Sequence, residues 1–341
     1  TVFHLPLIAC DDNFQLVALS TRRRNEAEAR WPGVSVYPTG EALITEVDAD
    51  LVVVTAPNAA HLPLTLAALA AGRHVVLEKP IVNTVADGET LHALADKTGR
   101  LLVPFHNRRW DGDFLTVRKL IDDGRLGAVR CFESHFDRFR PQVRDRWRER
   151  PGPGAGAWFD LGPHLVDQAL CLFGPPRAIT ARCLALRENS LATDNFHVLM
   201  HYASHEVILH GGSFAAGPNI RFQVQGTQGS YVKYGLDPQE ERLKAGARPD
   251  TPGWAAEDAT RFGTLHTPAG STVIPTEVGG YQNFYSQLAM AIKAKALKAQ
   301  AIEGRARVPV AVEDALAGIA LIELAEESSR RGRTLAYDSG P

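Results

Sequence analysis

Short apolar runs alternate with polar or alanine-rich stretches along the first hundred residues. Phe14–Ser20 (FQLVALS) reads as a strand and Arg23–Arg30 as a polar helix. Asp50–Thr55 (DLVVVT) is a continuous apolar run, the pattern of a parallel strand buried on both faces. His61–Ala71 predicts an Ala/Leu-rich helix closed by Gly72, and His74–Glu78 (HVVLE) predicts the next strand. Thr84–Thr98 predicts a helix ending at Gly99. Leu101–Phe105 (LLVPF) predicts a strand in which Pro104 must come late, because proline cannot donate to a ladder. Strands separated by helices predict a parallel, doubly wound sheet. Thr1–Ile8 reads as part of a first helix, so the expectation is that a first strand and a glycine-rich phosphate loop would precede it.

The rhythm changes after residue 106. Asp113–Asp123 predicts a helix ending at Gly124, Val129–Phe139 (VRCFESHFDRF) a long strand, and Asp160–Phe173 a helix ending at Gly174. Strand candidates then follow with few helices between them: Ala178–Leu186, Phe196–Tyr202, Glu206–His210, Phe222–Gly226 and Ser230–Tyr234. Such runs favour an antiparallel sheet. Tyr281–Lys295 and Val312–Arg330 read as closing helices. The expected organisation is α/β, with a dinucleotide-binding domain over 1–106 and a second domain over 107–341 for substrate binding and oligomerisation.

Composition narrows the function classes. The 341 residues carry 37 basic and 39 acidic side chains, a formal net charge of −2, so no global field attracts nucleic acid or an anionic membrane. No apolar run reaches the length of a membrane span and no signal-peptide pattern opens the chain, so the expected location is the cytoplasm. Cys10, Cys131, Cys171 and Cys183 are scattered without a C-x-x-C pair, which argues for reduced thiols. His106, His135 and His164 lack close metal-ligand spacing, and no metal is expected.

In an open parallel sheet, ligands bind at the carboxyl ends of the strands. Three such ends carry polar residues here: Thr55-Ala-Pro-Asn58, Glu78-Lys79-Pro80 and His106-Asn107-Arg108-Arg109. The strand ending at Ser20 is followed by Thr21-Arg22-Arg23-Arg24, without the carboxylate that would hold an adenine ribose. Guanidinium groups suit a 2′-phosphate, so NADP is expected over NAD, the alternative being a solvated basic turn. Asp160 and His164 lie four apart at the start of a predicted helix and share one face. Asp160 could instead be a helix N-cap, His164 a core histidine and Lys79 a surface lysine. Together they suit oxidation of an alcohol: an imidazole to take the hydroxyl proton, a carboxylate to orient it, and an ammonium to polarise the oxygen.

The Glu78-Lys79-Pro80 motif, followed by Asp160-Leu-Gly-Pro-His164, resembles the glucose–fructose oxidoreductase / inositol dehydrogenase / MocA family over essentially the whole chain. HNRRWDGDFLT (106–116), ESHFDRFRPQVRDRWRE (133–149) and YVKYGLDPQEERL (231–243) are similar to its scyllo-inositol dehydrogenase branch that uses NADP. The resemblance implies a Rossmann domain, an α/β domain with a large, mostly antiparallel sheet whose open face makes the subunit interface of a homodimer or homotetramer, and a cis bond before Pro80. It implies catalytic roles for Lys79, Asp160 and His164. It implies cofactor contacts at Pro57, Asn58, His61, Glu78, Lys79, His106 and Arg108, besides Ser20, Thr21 and Arg22. A polyol or sugar substrate would meet Asp137, Arg140, Arg146 and Trp147, which could alternatively form a surface salt-bridge cluster. Two other readings stand beside this one: a non-catalytic dinucleotide sensor of the same family, and an enzyme acting on biliverdin or a glycoside.

Overall fold

The structure, a computed structural model, describes residues 2–146, 149–296 and 308–338. The elements in chain order are α1 (His4–Ile8), β1 (Ala18–Ser20), α2 (Arg24–Arg30), β2 (Ser35–Tyr37), α3 (Gly40–Glu46), β3 (Leu51–Val54), α4 (His61–Ala70), β4 (His74–Leu77), α5 (Val85–Thr98) and β5 (Leu102–Pro104). There follow α6 (Gly112–Asp122), β6 (Val129–His135), α7 (Gly156–Phe173), β7 (Ala178–Leu184), β8 (Asn195–His201), β9 (Glu206–Gly211), β10 (Ile220–Gly226) and β11 (Ser230–Tyr234). The rest comprises α8 (Gln239–Lys244), β12 (Gly263–Thr267), β13 (Gly270–Ile274), α9 (Gln282–Ala296), α10 (Val312–Arg331) and β14 (Leu335–Ala336).

The chain forms two compact units. The first comprises Thr1–His106, Leu243–Thr251 and Tyr281–Leu316. It therefore takes in two later segments that the sequence reading assigned to the second domain. Its strands are all parallel: β1 pairs with β2, and β3, β4 and β5 form a second ladder. The apolar runs explain the burial, since every residue of β4 and of β5 is buried. Pro104 is the last residue of β5, where its missing N–H costs no ladder bond. Helix α5 is specified at both ends: the Thr84 hydroxyl accepts from the Asp87 N–H, and Gly99 closes the helix at φ 65°.

The second unit comprises Asn107–Arg242, Pro252–Gly280 and Ala317–Pro341. Its nine-stranded sheet runs β13-β12-β11-β10-β6-β9-β8-β7-β14. Every neighbouring pair is antiparallel except β6 and β9. Alternation along the strands leaves one face apolar; Phe132, Phe196, Val198, Val207, Leu209, Phe222 and Val224 share a core with Trp158, Leu165 and Val166 of α7. The long strand expected over Val129–Phe139 stops at His135, and a single bridge from Phe139 to Phe214 continues the pairing. The β12–β13 hairpin was not read from the sequence, because Gly263 and exposed, mostly small residues blur its alternation. Among the described residues no helix is long and apolar enough to cross a membrane.

Two features fix the packing of α7, one against α10 and one against the sheet. Gly162 lies where a Cβ would come within 2.6 Å of the Trp158 ring and 2.9 Å of Ile322, so only glycine permits the close approach. Arg221 of β10 is buried, and its guanidinium donates to the Ser134 hydroxyl (2.7 Å) and the Gln168 side-chain oxygen (2.8 Å). Its Nε lies 3.3 Å from the buried Asp113 carboxylate, and its plane covers the rings of Phe136 (4.4 Å) and Phe222 (4.0 Å). One cation thereby ties β10 and β6 to α6 and α7. Substituting it leaves Asp113 as an uncompensated buried charge, so R221M is expected to cost roughly 3–5 kcal/mol in urea unfolding. The double variant R221M/D113L should regain part of that loss. A cost below about 1 kcal/mol for R221M would remove Arg221 from this role.

Candidate active site

In the first unit the ladder register levels three strand ends. Val54 pairs with Leu77, and Leu77 with Pro104, so Thr55–Asn58, Glu78–Pro80 and Phe105–His106 leave the sheet at the same edge. Lys79 is half-buried there, and the Lys79–Pro80 bond is cis, as the resemblance implied. Pro57 is exposed, Asn58 half-buried and His106 buried. His61 is 1% exposed, with one ring nitrogen 2.9 Å from the Pro80 carbonyl and the other 2.9 Å from the Ala56 carbonyl. Its contribution is to hold two strand ends together.

Glu78 is similarly engaged. One carboxylate oxygen lies 2.9 Å from His4 Nε2, and the other accepts from the Lys79 N–H at 3.0 Å. The second nitrogen of His4 lies 2.7 Å from the Tyr285 hydroxyl, and its ring packs against Phe105 at a tilt of 42°, centroids 4.1 Å apart. Burial by itself would raise the Glu78 carboxyl, but His4 and Lys79 outweigh it and hold the pKa below the ordinary carboxylate value. The sequence reading missed His4 and Tyr285, because neither neighbours the motif in the chain.

At the carboxyl end of β1, Ser20 and Arg22 are exposed and Thr21 half-buried. Arg23 pairs with Glu26 and Arg24 with Glu28. Arg22 has no hydrogen-bond or ion-pair partner among the described residues. This donor set, one unengaged guanidinium beside two hydroxyls, fits the 2′-phosphate end of NADP.

In the second unit, α7 begins at Gly156, four residues before the expected start, with Ala155 as its N-cap. Asp160 is thus inside the helix, which removes its N-cap reading. Pro163 falls between Asp160 and His164 and deletes the bond that its N–H would make to the Phe159 carbonyl. Asp160 lines a cavity of about 280 Å³, together with Phe136, Arg138, Arg140, Arg146, Glu149, Arg187 and Asp194. His164 is 6% exposed and stands edge-on to Phe136, ring centroids 6.4 Å apart.

Of the expected substrate contacts, Arg140 and Arg146 line this cavity. Burial and then the neighbouring Arg138, Arg144 and Arg146 depress the Arg140 pKa. Asp137 is not among the lining residues; His210 Nδ1 lies 2.9 Å from one of its oxygens and His135 Nδ1 3.4 Å from the other. Burial opposes ionisation of Asp137, yet His135 and His210 prevail and hold its carboxyl well below the usual range. Burial likewise opposes protonation of His135, but Asp137 and Glu133 outweigh it and raise its pKa. Trp147 lies outside the described residues. Arg108 is buried in the second unit, paired with Asp111 at 3.3 Å and with Glu240, over the Phe136 ring at 5.0 Å. The sequence reading did not single out Arg187, Asp194 and Glu149. Arg187 donates to Asp194 at 3.0 Å and to Glu149 at 3.1 Å, an array that appears only once the connection from β7 to β8 meets Glu149.

A parallel unit with polar strand ends, together with a sheet unit that carries a carboxylate and an imidazole one helical turn apart, is an arrangement that suits a nucleotide-dependent oxidoreductase. Comparison with known proteins agrees. Residues 1–106 match the oxidoreductase family's NAD-binding Rossmann fold, and 118–337 match its C-terminal alpha/beta domain. The chain belongs to the glucose–fructose oxidoreductase / inositol dehydrogenase / MocA family, as its motifs implied. The uncharacterized oxidoreductase YdgJ of Escherichia coli is 44% identical over 98% of this chain and 94% of its own length. The scyllo-inositol 2-dehydrogenase (NADP(+)) IolW of Bacillus subtilis is 40% identical over 99% of this chain and 93% of its own. A solved structure from Yersinia pestis superposes with a TM-score of 0.91 at 40% identity, covering 100% of this chain and 94% of that one.

The depressed Glu78 pKa makes a pH prediction. A carboxyl whose folded pKa lies below its unfolded value stabilises the fold above about pH 4.5, and this is lost as pH falls through the folded value. E78Q should therefore be less stable than the parent at pH 7, with the gap closing as pH drops below about 4.5. Urea midpoints measured across that range check this, and a gap independent of pH would count against it.

Proposed function

We propose that this oxidoreductase is NADP-linked and oxidises a ring hydroxyl of an inositol-type polyol or sugar, or reduces the matching ketone. The observation that carries the reading is Asp160 on the wall of a cavity rich in hydrogen-bonding groups, with His164 one turn further along α7. Arginine, glutamate and aspartate side chains around one volume suit a ligand dense in hydroxyls, which needs donors and acceptors on several sides. The likeness to IolW over nearly the full chain supports the same substrate class.

The roles follow from what alcohol oxidation requires. The substrate loses a hydroxyl proton and a hydride from the same carbon, and a C=O bond forms. When bound, the nicotinamide supplies the acceptor for that hydride. His164 takes the hydroxyl proton, since an imidazole titrates close to neutral pH. Asp160 orients that imidazole and stabilises its charged form. Lys79 donates to the substrate oxygen and favours the charge that develops there. Arg22, flanked by Ser20 and Thr21, binds the 2′-phosphate, which NAD lacks.

Following nicotinamide reduction against a panel of inositols and aldoses tests the reading. Turnover with at least one inositol, faster with NADP than with NAD, is expected. No turnover with any polyol, sugar or matching ketone would overturn it. H164A should lower kcat by roughly 10²–10⁴ with the fold intact, the range for a lost acid–base group. Near-normal turnover would take His164 out of that role. R22A should raise the KM for NADP roughly 10- to 100-fold and leave that for NAD unchanged, the scale of one lost charge-assisted contact. An equal effect on both cofactors would reassign Arg22 to a structural role.

A further inference from the structure

We propose that His135, Asp137 and His210 bind a divalent transition-metal ion of the zinc type, on the face of the nine-stranded sheet that α7 does not cover. The inference is independent of the polyol reading, and neither stands or falls with the other. Parallel pairing of β6 with β9 sets His135 directly opposite His210. Strand alternation turns both imidazoles away from the core that receives Ser134 and Leu209. Asp137, two residues beyond His135, returns its carboxylate between them. One ligand atom from each residue lies within 4.8 Å of those from the other two.

His135 Nδ1 lies within hydrogen-bond reach of Asp137 Oδ2 at 3.4 Å, but the approach of Asp137 to His210 is of another kind. Asp137 Oδ1 and His210 Nδ1 are 2.9 Å apart, yet neither makes a directed hydrogen bond among the described residues. Two such atoms at contact distance but not aimed at each other are disposed like ligands around a common point. Tetrahedral zinc with bonds of about 2.0–2.1 Å places ligand atoms about 3.3 Å apart. His210 Nδ1 lies 2.9 Å from Asp137 Oδ1 and His135 Nδ1 3.4 Å from Oδ2, and with one ligand atom taken from each residue no pair is more than 4.8 Å apart, so no ligand pair has to close by more than about 1.5 Å.

The surroundings supply the other features of a metal centre. His135 turns Nδ1 toward Asp137, while its Nε2 lies 3.2 Å from Glu133 Oε2. A carboxylate on the far nitrogen is the usual device that fixes the tautomer of a metal-bound histidine. Metal ligation requires both imidazoles deprotonated, and the two carboxylates then leave a charge of −2, which a divalent ion cancels. Imidazole ligands select zinc, copper, nickel or cobalt over magnesium and calcium. The side chains of His135, Asp137 and His210 are 15%, 12% and 26% exposed in the single chain. Three protein ligands leave a fourth position for water or a further donor. Sequence spacing hides this set, because β9 supplies the second imidazole far along the chain.

The test uses the full chain, stripped with chelator and dialysed against buffered Zn²⁺. One Zn²⁺ per chain at micromolar free ion is expected, with a rise in Tm that grows with Zn²⁺ concentration. Co²⁺ in its place should give the visible absorption of a four- or five-coordinate centre. H135A and H210A should each weaken Zn²⁺ binding at least a hundredfold, and E133Q about tenfold. H135Q and H210Q serve as replacements should an alanine variant not fold, judged by circular dichroism without metal. Binding of less than one Zn²⁺ per chain at 100 µM, on the order of a weak adventitious site, would overturn the proposal. So would folded histidine variants that bind as tightly as the parent; the cluster would then be an ion-pair relay centred on His135.

Discussion

A single buried guanidinium organises the second unit. Arg221 projects from β10 into the layer between sheet and helices, where it meets a hydroxyl of β6, an amide of α7 and a carboxylate of α6. A cation there is tolerable only because each contact compensates its lost hydration. The geometry therefore specifies where α7 must lie. Gln168, which accepts from Arg221, is one turn beyond His164 and two beyond Asp160. The same amide donates to the Arg108 carbonyl and so fixes the 107–110 turn as well. Gly162 leaves room for the Trp158 ring of the same helix and for Ile322 of α10 beside the α7 backbone. Within the Asp160-Leu-Gly-Pro-His164 motif the glycine serves packing, and the acidic and imidazole side chains flank it.

The first unit solves a comparable problem with backbone carbonyls. Its three strand ends are levelled by register, and two of them are bound to one another by His61 across Ala56 and Pro80. Glu78 is held by His4, which the Tyr285 hydroxyl holds in turn. Lys79 is consequently presented from a rigid edge, and its own backbone N–H is part of the lock. Residues that look like ligand contacts in a linear motif divide, in the folded unit, into those that hold the edge and those that remain accessible on it.

Much of this architecture was legible in the chain. The apolar runs at 50–55 and 74–78 became β3 and β4, Thr84 and Gly99 bounded α5, and the strand-rich second half became an antiparallel sheet. These are local signals, since a period-two or continuous apolar pattern needs no partner to be read. The start of α7 was misplaced by four residues because Gly156 and Ala157 carry no helix-start signature. Its first turn is held from outside, by a bond from the Ala157 N–H to the Thr193 carbonyl. The single parallel pair in the large sheet, β6 with β9, leaves no mark in either strand's composition.

The sequence by itself determined the class of fold, the family and the residue types able to perform oxidoreductase chemistry, because motif and periodicity are properties of neighbouring residues. Only the tertiary structure decided which side chains share a space: Arg187 with Glu149 and Asp194, His4 with Glu78 and Tyr285, His135 with Asp137 and His210. Each set draws on segments far apart in the chain. Their charges and donors act over only a few ångströms, a separation that strand register and helix seating set and that chain order does not record.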